Sequence, residues 1–167
     1  SQGCALCVPG EGVIGNLVKE PRTKIYDICD NIVKINEDLK LPIKPMIGVI
    51  GVAPADDKPL AMYPGTHGGN MDSRRIKEGA TLYLPVQVSG GLLSMGDLHA
   101  AQGDGESFYT GLEVSGEVEV TVNIRKDLKI DIPFVKSEGK FASIATAETT
   151  DKALSLSMEK LVEFISR

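Results

Sequence analysis

The sequence predicts a mainly β protein with a C-terminal α/β element. Eighteen glycines and nine prolines in 167 residues cut the chain into short segments and leave little room for a helix bundle. In "EVEVTVNIR", Val118, Val120, Val122 and Ile124 alternate with Glu117, Glu119, Thr121 and Asn123, the period of a strand with one face on a core. An apolar stripe at helical spacing (Leu154, Met158, Leu161 and Ile165) is confined to the end of the chain.

Taken in order, the chain opens with "CALC", a CxxC formed by Cys4 and Cys7. With no second pair and no nearby histidine it is weak evidence for zinc, and the βαβ setting of a redox pair is missing. The segment "KIYDICDNIVKIN" reads two ways: Ile25, Ile28, Ile32 and Ile35 suit a helical stripe, while the β-branching suits strands. Cys29 within it is expected in the core. "PMIGVIGVAP" and "TLYLPVQV" are β-branched runs bounded by Gly or Pro, as buried strands are. After "EVEVTVNIR", Lys126-Asp127 reads as a turn, and Leu128, Ile130, Ile132 and Phe134 alternate again, predicting an antiparallel hairpin. Thr149 or Thr150 is placed to cap the final helix. Residues 1–140 are thus read as a mainly β region bearing the candidate site. Residues 141–167 are read as the start of a helix-bearing α/β element that is expected to be truncated.

Composition narrows the function classes. Hydrophobic content of 42% with 25% charge is that of a globular chain with a core. A net charge of -5, with no basic cluster interleaved with aromatics, argues against nucleic acid as a partner. No apolar run approaches membrane-spanning length. Three cysteines, an odd number, predict reduced thiols and a cytoplasmic protein rather than a disulfide framework.

Chemistry concentrates in two glycine-rich stretches. In "GDLHAAQGDGE", Asp97 and His99 point to the same face if residues 92–99 form a strand. A carboxylate and an imidazole so placed can reach one metal ion. Asp104 and Glu106 follow as candidates for a further ligand or a general base. "YPGTHGGNMD" holds the only other histidine, His67, followed by Gly68, Gly69, Asn70 and Asp72. Backbone N–H groups at Gly68-Gly69, or the Asn70 amide, could hold an oxyanion, while Asp72 could orient His67 or act as a ligand. Other catalytic schemes lack their spacing: there is no GxSxG, no GxxxxGK[ST] and no GxGxxG before a helix. The competing pattern is a cupin-like metal-binding module, since Gly96-x-x-His99 is followed by Glu106. Asp97, however, stands where that pattern has its first histidine.

The motifs "PGTHGGNMD", "GATLYLPVQVSGGLLSMGDLHAAQGDGE" and "GLEVSGEVEVTVNI" resemble the acetamidase/formamidase family, in the same order and at similar spacing. The resemblance runs from about Pro45 to Ile124 and more loosely over both flanks. It implies a β/β/α architecture, an oligomer, and a hydrolase cleaving short linear amides to a carboxylate and ammonia. It also implies a metal-supported site using zinc, with calcium as a further ion. At such a site Asp97 and His99, with His67, are the expected metal ligands, and Asp72 is either a further ligand or the partner that orients His67. Glu106 or Asp104 is the expected base, and Gly68, Gly69 and Asn70 form the oxyanion loop. Members of the family are longer, so this chain corresponds to their central and following portion, without the N-terminal part and C-terminal extension.

Overall fold

The structure, a computed structural model, describes residues 1–55 and 62–166. It is mainly β, with one α-helix among the described residues. Two compact units interleave along the chain. The first comprises residues 1–48, 72–78 and 97–117, and the second comprises 49–71, 79–96 and 118–167.

The first unit is an antiparallel meander. Strand β1 (Gln2–Cys7) pairs with β2 (Arg22–Cys29), β2 with β3 (Ile32–Lys34), and β3 with β4 (Lys40–Pro42). The segment that read as helix or strand is therefore two strands. Asp30 and Asn31 form the two-residue turn between them, with φ of 51° and 60°, the backbone that matches strand twist in a tight hairpin. Alternation then puts Ile28 and Val33 in the core and turns Cys29 outward, against the expectation of a buried thiol. Cys4 and Cys7, three apart on a strand, face opposite sides, and both are free. Strand β5 (Met46–Gly51) begins in this unit and continues into the second. Across from β1 lies β9 (Leu112–Glu113), which pairs with the unit's portion of β8 (Ser94–Ala101). Ile28, Val33, Ala100 and Leu112 form the core of this unit, with Ile28, Val33 and Leu112 each stabilising it by roughly 1.5–3 kcal/mol when fully buried and the Ala100 methyl by less. Thr110 fastens β9 to β1, its Oγ1 accepting the Leu6 N–H at 2.9 Å.

In the second unit the remainder of β5 pairs with β6 (Gly68–Asn70). A separate three-stranded sheet has the order β11 (Lys140–Ser143), β10 (Phe134–Ser137), β7 (Thr81–Tyr83). Helix α1 (Thr150–Ile165) packs on β11. The cap is as expected: Thr149 is the N-cap and its Oγ1 accepts the Lys152 N–H. The stripe is not. Leu154, Met158 and Ile165 are largely exposed, and the packed face is set by Phe164, which stacks on Phe141 and Phe134 at centroid distances of 4.6 and 4.9 Å. The helix carries more apolar positions than one face can bury, and the aromatic with the largest area takes the sheet.

The predicted hairpin over residues 117–134 also differs. The Lys126–Asp127 turn is present, but no strand is assigned between Glu113 and Phe134. Val118, Val120, Val122 and Ile124 are exposed, Ile124 by 81%. Alternation reports which face a strand would bury, not whether a neighbour exists to pair with it. Phe134 instead opens β10, whose hairpin partner is β11.

Candidate metal centre

Five side chains of the first unit meet around His99. Strand β8 delivers Asp97 and His99 to one side, and the β9 register sets Glu113 opposite His99. The turn at Asp72 approaches β5, its N–H donating to the Gly48 carbonyl at 3.1 Å. The loop after β8 brings Gln102 and Glu106. His99 is 1% exposed. Its Nε2 lies 3.3 Å from Asp97 Oδ1 and 3.0 Å from Glu113 Oε1, and its Nδ1 lies 3.9 Å from Asp72 Oδ1. Two overlapping groups, Asp72/Asp97/His99 and His99/Glu106/Glu113, have donor atoms within 4.8 Å of one another.

The acids hold unusual backbones. Asp72, Asp97 and Glu106 have φ of 43°, 56° and 41°, the left-handed region that costs an L-residue about 1 kcal/mol or more. Strain of this kind concentrates at functional sites. Glycine opens the remaining space. A Cβ on Gly48 would stand 2.5 Å from Asp97 Oδ2 and 2.7 Å from Asp72 Oδ1, and one on Gly111 would stand 2.6 Å from His99 Nδ1.

The electrostatics are those of a crowded, half-desolvated cluster. Burial raises the Asp72 carboxyl above its usual range, with the Asp97 charge adding to it and His99 opposing. Burial and then the charge of Asp72 push Glu106 up to about 7. Burial disfavours a charged His99, but its contacts with Glu113 and Gln102 and the charges of Glu113 and Asp97 outweigh it and raise the imidazole to about 9. Even so, Asp72 Oδ1 and His99 Nε2 are buried without a hydrogen-bond partner among the described residues. The 3.0 Å approach of Glu113 to Nε2 is therefore proximity outside hydrogen-bond geometry. A partnerless carboxylate oxygen beside a spot that a Cβ on Gly48 would fill, and a buried imidazole nitrogen without a partner, ringed by carboxylates, are a donor set for a divalent cation once the ring gives up its proton. The metal implied by the resemblance fits these residues.

Of the residues expected from sequence, Asp72, Asp97 and His99 share one of these groups and Glu106 belongs to the other. Asp104 is engaged elsewhere, in an exposed two-point ion pair with Arg74 at 2.7 and 2.8 Å. His67, Gly68, Gly69 and Asn70 lie in the second unit. There the two glycines form β6 at φ of 94° and 88°, and His67 packs against Gly65 and Gly69. The Asn70 amide donates to the Met62 carbonyl at 3.2 Å. Glu113 was not anticipated. Its signal is a lone acid within the apolar run Leu112-Glu113-Val114, informative only once the β8–β9 register is known.

The comparisons decide the family. The Acetamidase/Formamidase family matches residues 57–146. The chain belongs to the acetamidase/formamidase family. It is 46% identical over 65 residues to a formamidase of Methylophilus methylotrophus, covering 38% of this chain and 16% of that protein. Among solved structures, it is similar to a predicted acetamidase/formamidase of Thermoanaerobacter tengcongensis (47% identity, TM-score 0.94, 97% of this chain and 54% of that one). It is likewise similar to an acetamidase of Bacillus halodurans (42% identity, TM-score 0.95, 99% of this chain and 56% of that one). The chain thus spans about half the length of these structural relatives. No helix among the described residues is long and apolar enough to cross a membrane.

Proposed function

We propose that the protein of which this chain forms part is a metal-dependent amidohydrolase that cleaves short linear amides, of the formamide and acetamide kind, to a carboxylate and ammonia. The observation that carries the reading is the His99 cluster, with its two orphaned buried atoms in a member of this family.

Asp72, Asp97, His99 and Glu113 are proposed to hold the ion. One imidazole among carboxylates suits zinc and, through its oxygen-rich share, calcium. When bound, the cation supplies a Lewis acid that polarises the amide carbonyl and acidifies water. Glu106 is the proposed proton carrier: it takes the proton of the attacking water and returns it to the departing nitrogen. A carboxyl lifted toward neutrality suits both halves of that transfer. Asp104 is the weaker candidate because Arg74 holds it in solvent. Burial of His99 keeps bulk water from competing at the ligand atoms.

The test is elemental analysis of the full-length protein paired with ammonia release from formamide, acetamide and a longer amide. Stoichiometric zinc or calcium with ammonia release is expected. In Glu106→Gln, ammonia release should collapse while bound metal is retained. A metal-replete wild type that releases no ammonia would end the amidase reading.

A further inference from the structure

Gln102 does not belong to either carboxylate–imidazole group, yet its amide touches both sides of the cluster. Its Oε1 lies 2.5 Å from His99 Nδ1, and its Nε2 donates to the Asp72 backbone carbonyl at 2.8 Å. The second contact fixes the first. A carbonyl oxygen only accepts, so the NH2 end of the amide must face Asp72 and the oxygen end must face the imidazole. An amide oxygen also only accepts, so His99 must carry a proton on Nδ1. In the neutral ring, Nε2 is then a bare lone pair, turned toward Asp97 and Glu113.

We propose that Gln102 is a positioning residue that locks His99 in its Nδ1–H tautomer and so presents Nε2 as a ligand. The proposal deepens the cation-site reading and rests on it. It also gives the amide a second task. Asp72 sits at φ 43°, and the bond from Gln102 to its carbonyl holds that left-handed turn at the angle that aims the carboxylate at the cluster. A side chain that merely filled the space would do neither. Ligating histidines are ordinarily fixed through their other nitrogen in this way, and losing that partner costs 10–100-fold in metal affinity.

The experiment has two independent readouts on the full-length protein. Long-range proton–nitrogen NMR at a pH where the imidazole is neutral reports the tautomer, with the His99 signal assigned by its loss in His99→Gln. Zinc titration of metal-stripped protein reports the ligand site. Wild type should show the Nδ1–H form. Gln102→Met should shift the population toward Nε2–H and weaken zinc binding by about 10–100-fold. Gln102→Glu, whose carboxylate can still accept from Nδ1–H, should keep the wild-type tautomer. Gln102→Asn, a methylene shorter and unable to span both partners, serves if the methionine variant fails to fold. An unchanged Nδ1–H tautomer in Gln102→Met or Gln102→Asn, or its loss in Gln102→Glu, would overturn the proposal even if zinc binds. Tautomer shifts as described in a protein that binds no zinc would support the positioning role and remove the cation reading instead.

Discussion

Gly48 offers the sharpest test of the cradle. Its φ is not in the left-handed region, so alanine there meets no backbone objection and, in open space, would stabilise the chain slightly. The space is not open. The new methyl would lie 2.5 Å from Asp97 Oδ2 and 2.7 Å from Asp72 Oδ1, where ordinary contact begins at 3.4 Å. Each carboxylate must then retreat by roughly 0.7–0.9 Å, several times the ~0.2 Å tolerance of a metal–ligand distance. The two closest atoms are ends of side chains that can swing away, and the Asp97 carbonyl oxygen at 3.0 Å must give by a few tenths of an ångström. The fold should therefore lose only about 1 kcal/mol, a fall in Tm of roughly 2–4 °C. Cation affinity should drop by about 10-fold or more. Calorimetric titration of the metal-stripped protein with zinc, beside a thermal melt, separates the two effects. Gly103→Ala is the control, since its Cβ would meet nothing within 4 Å. Wild-type zinc affinity in Gly48→Ala would refute the idea that Asp72 and Asp97 close on a common ion.

Other outcomes follow from the same geometry. The metal-free chain should become less stable as pH rises from about 5 to about 10. His99, raised from 6.5 to about 9, contributes stability that is complete below its unfolded value and lost through 9, and Glu106, raised from 4.5 to about 7, acts in the same sense through 7. Thermal melts across that range check the sign, and Tm rising with pH would contradict it. Bound cation should flatten the slope, because the ligands are then deprotonated throughout. Breaking the exposed Arg74–Asp104 pair (side chains 50% and 83% exposed) with Asp104→Asn should cost no more than about 1 kcal/mol in a denaturant titration, and should lower ammonia release far less than Glu106→Gln. Phe164→Ala, which removes the half-buried ring packed against both Phe134 and Phe141, should cost about 1–3 kcal/mol, less than a fully buried ring, read by denaturant melts followed at the helical circular dichroism signal.

What the sequence disclosed about this molecule tracks the range of the interactions involved. The β character, the cap at Thr149 and the shared face of Asp97 and His99 are local, set by alternation and by one hydroxyl three residues from an N–H. Asp30-Asn31 is local too, but the competing isoleucine spacing hid it. Glu113 was out of reach because its place depends on the register of β9 against β8 across a bulge. Gln102 stood within the quoted motif, but its role depends on a contact with Asp72, thirty residues upstream. The run from Val118 to Ile124 failed for the opposite reason: its period is strandlike, and no partner strand is assigned to it among the described residues.

The left-handed backbones at Asp72, Asp97 and Glu106 set folding against chemistry. At each of these positions glycine would relax the main chain and also erase a negative charge from a crowded half-buried neighbourhood. A library screened for heat resistance alone should therefore discard these acids early, and the survivors would be sturdier proteins with only His99 and Glu113 left to grip an ion.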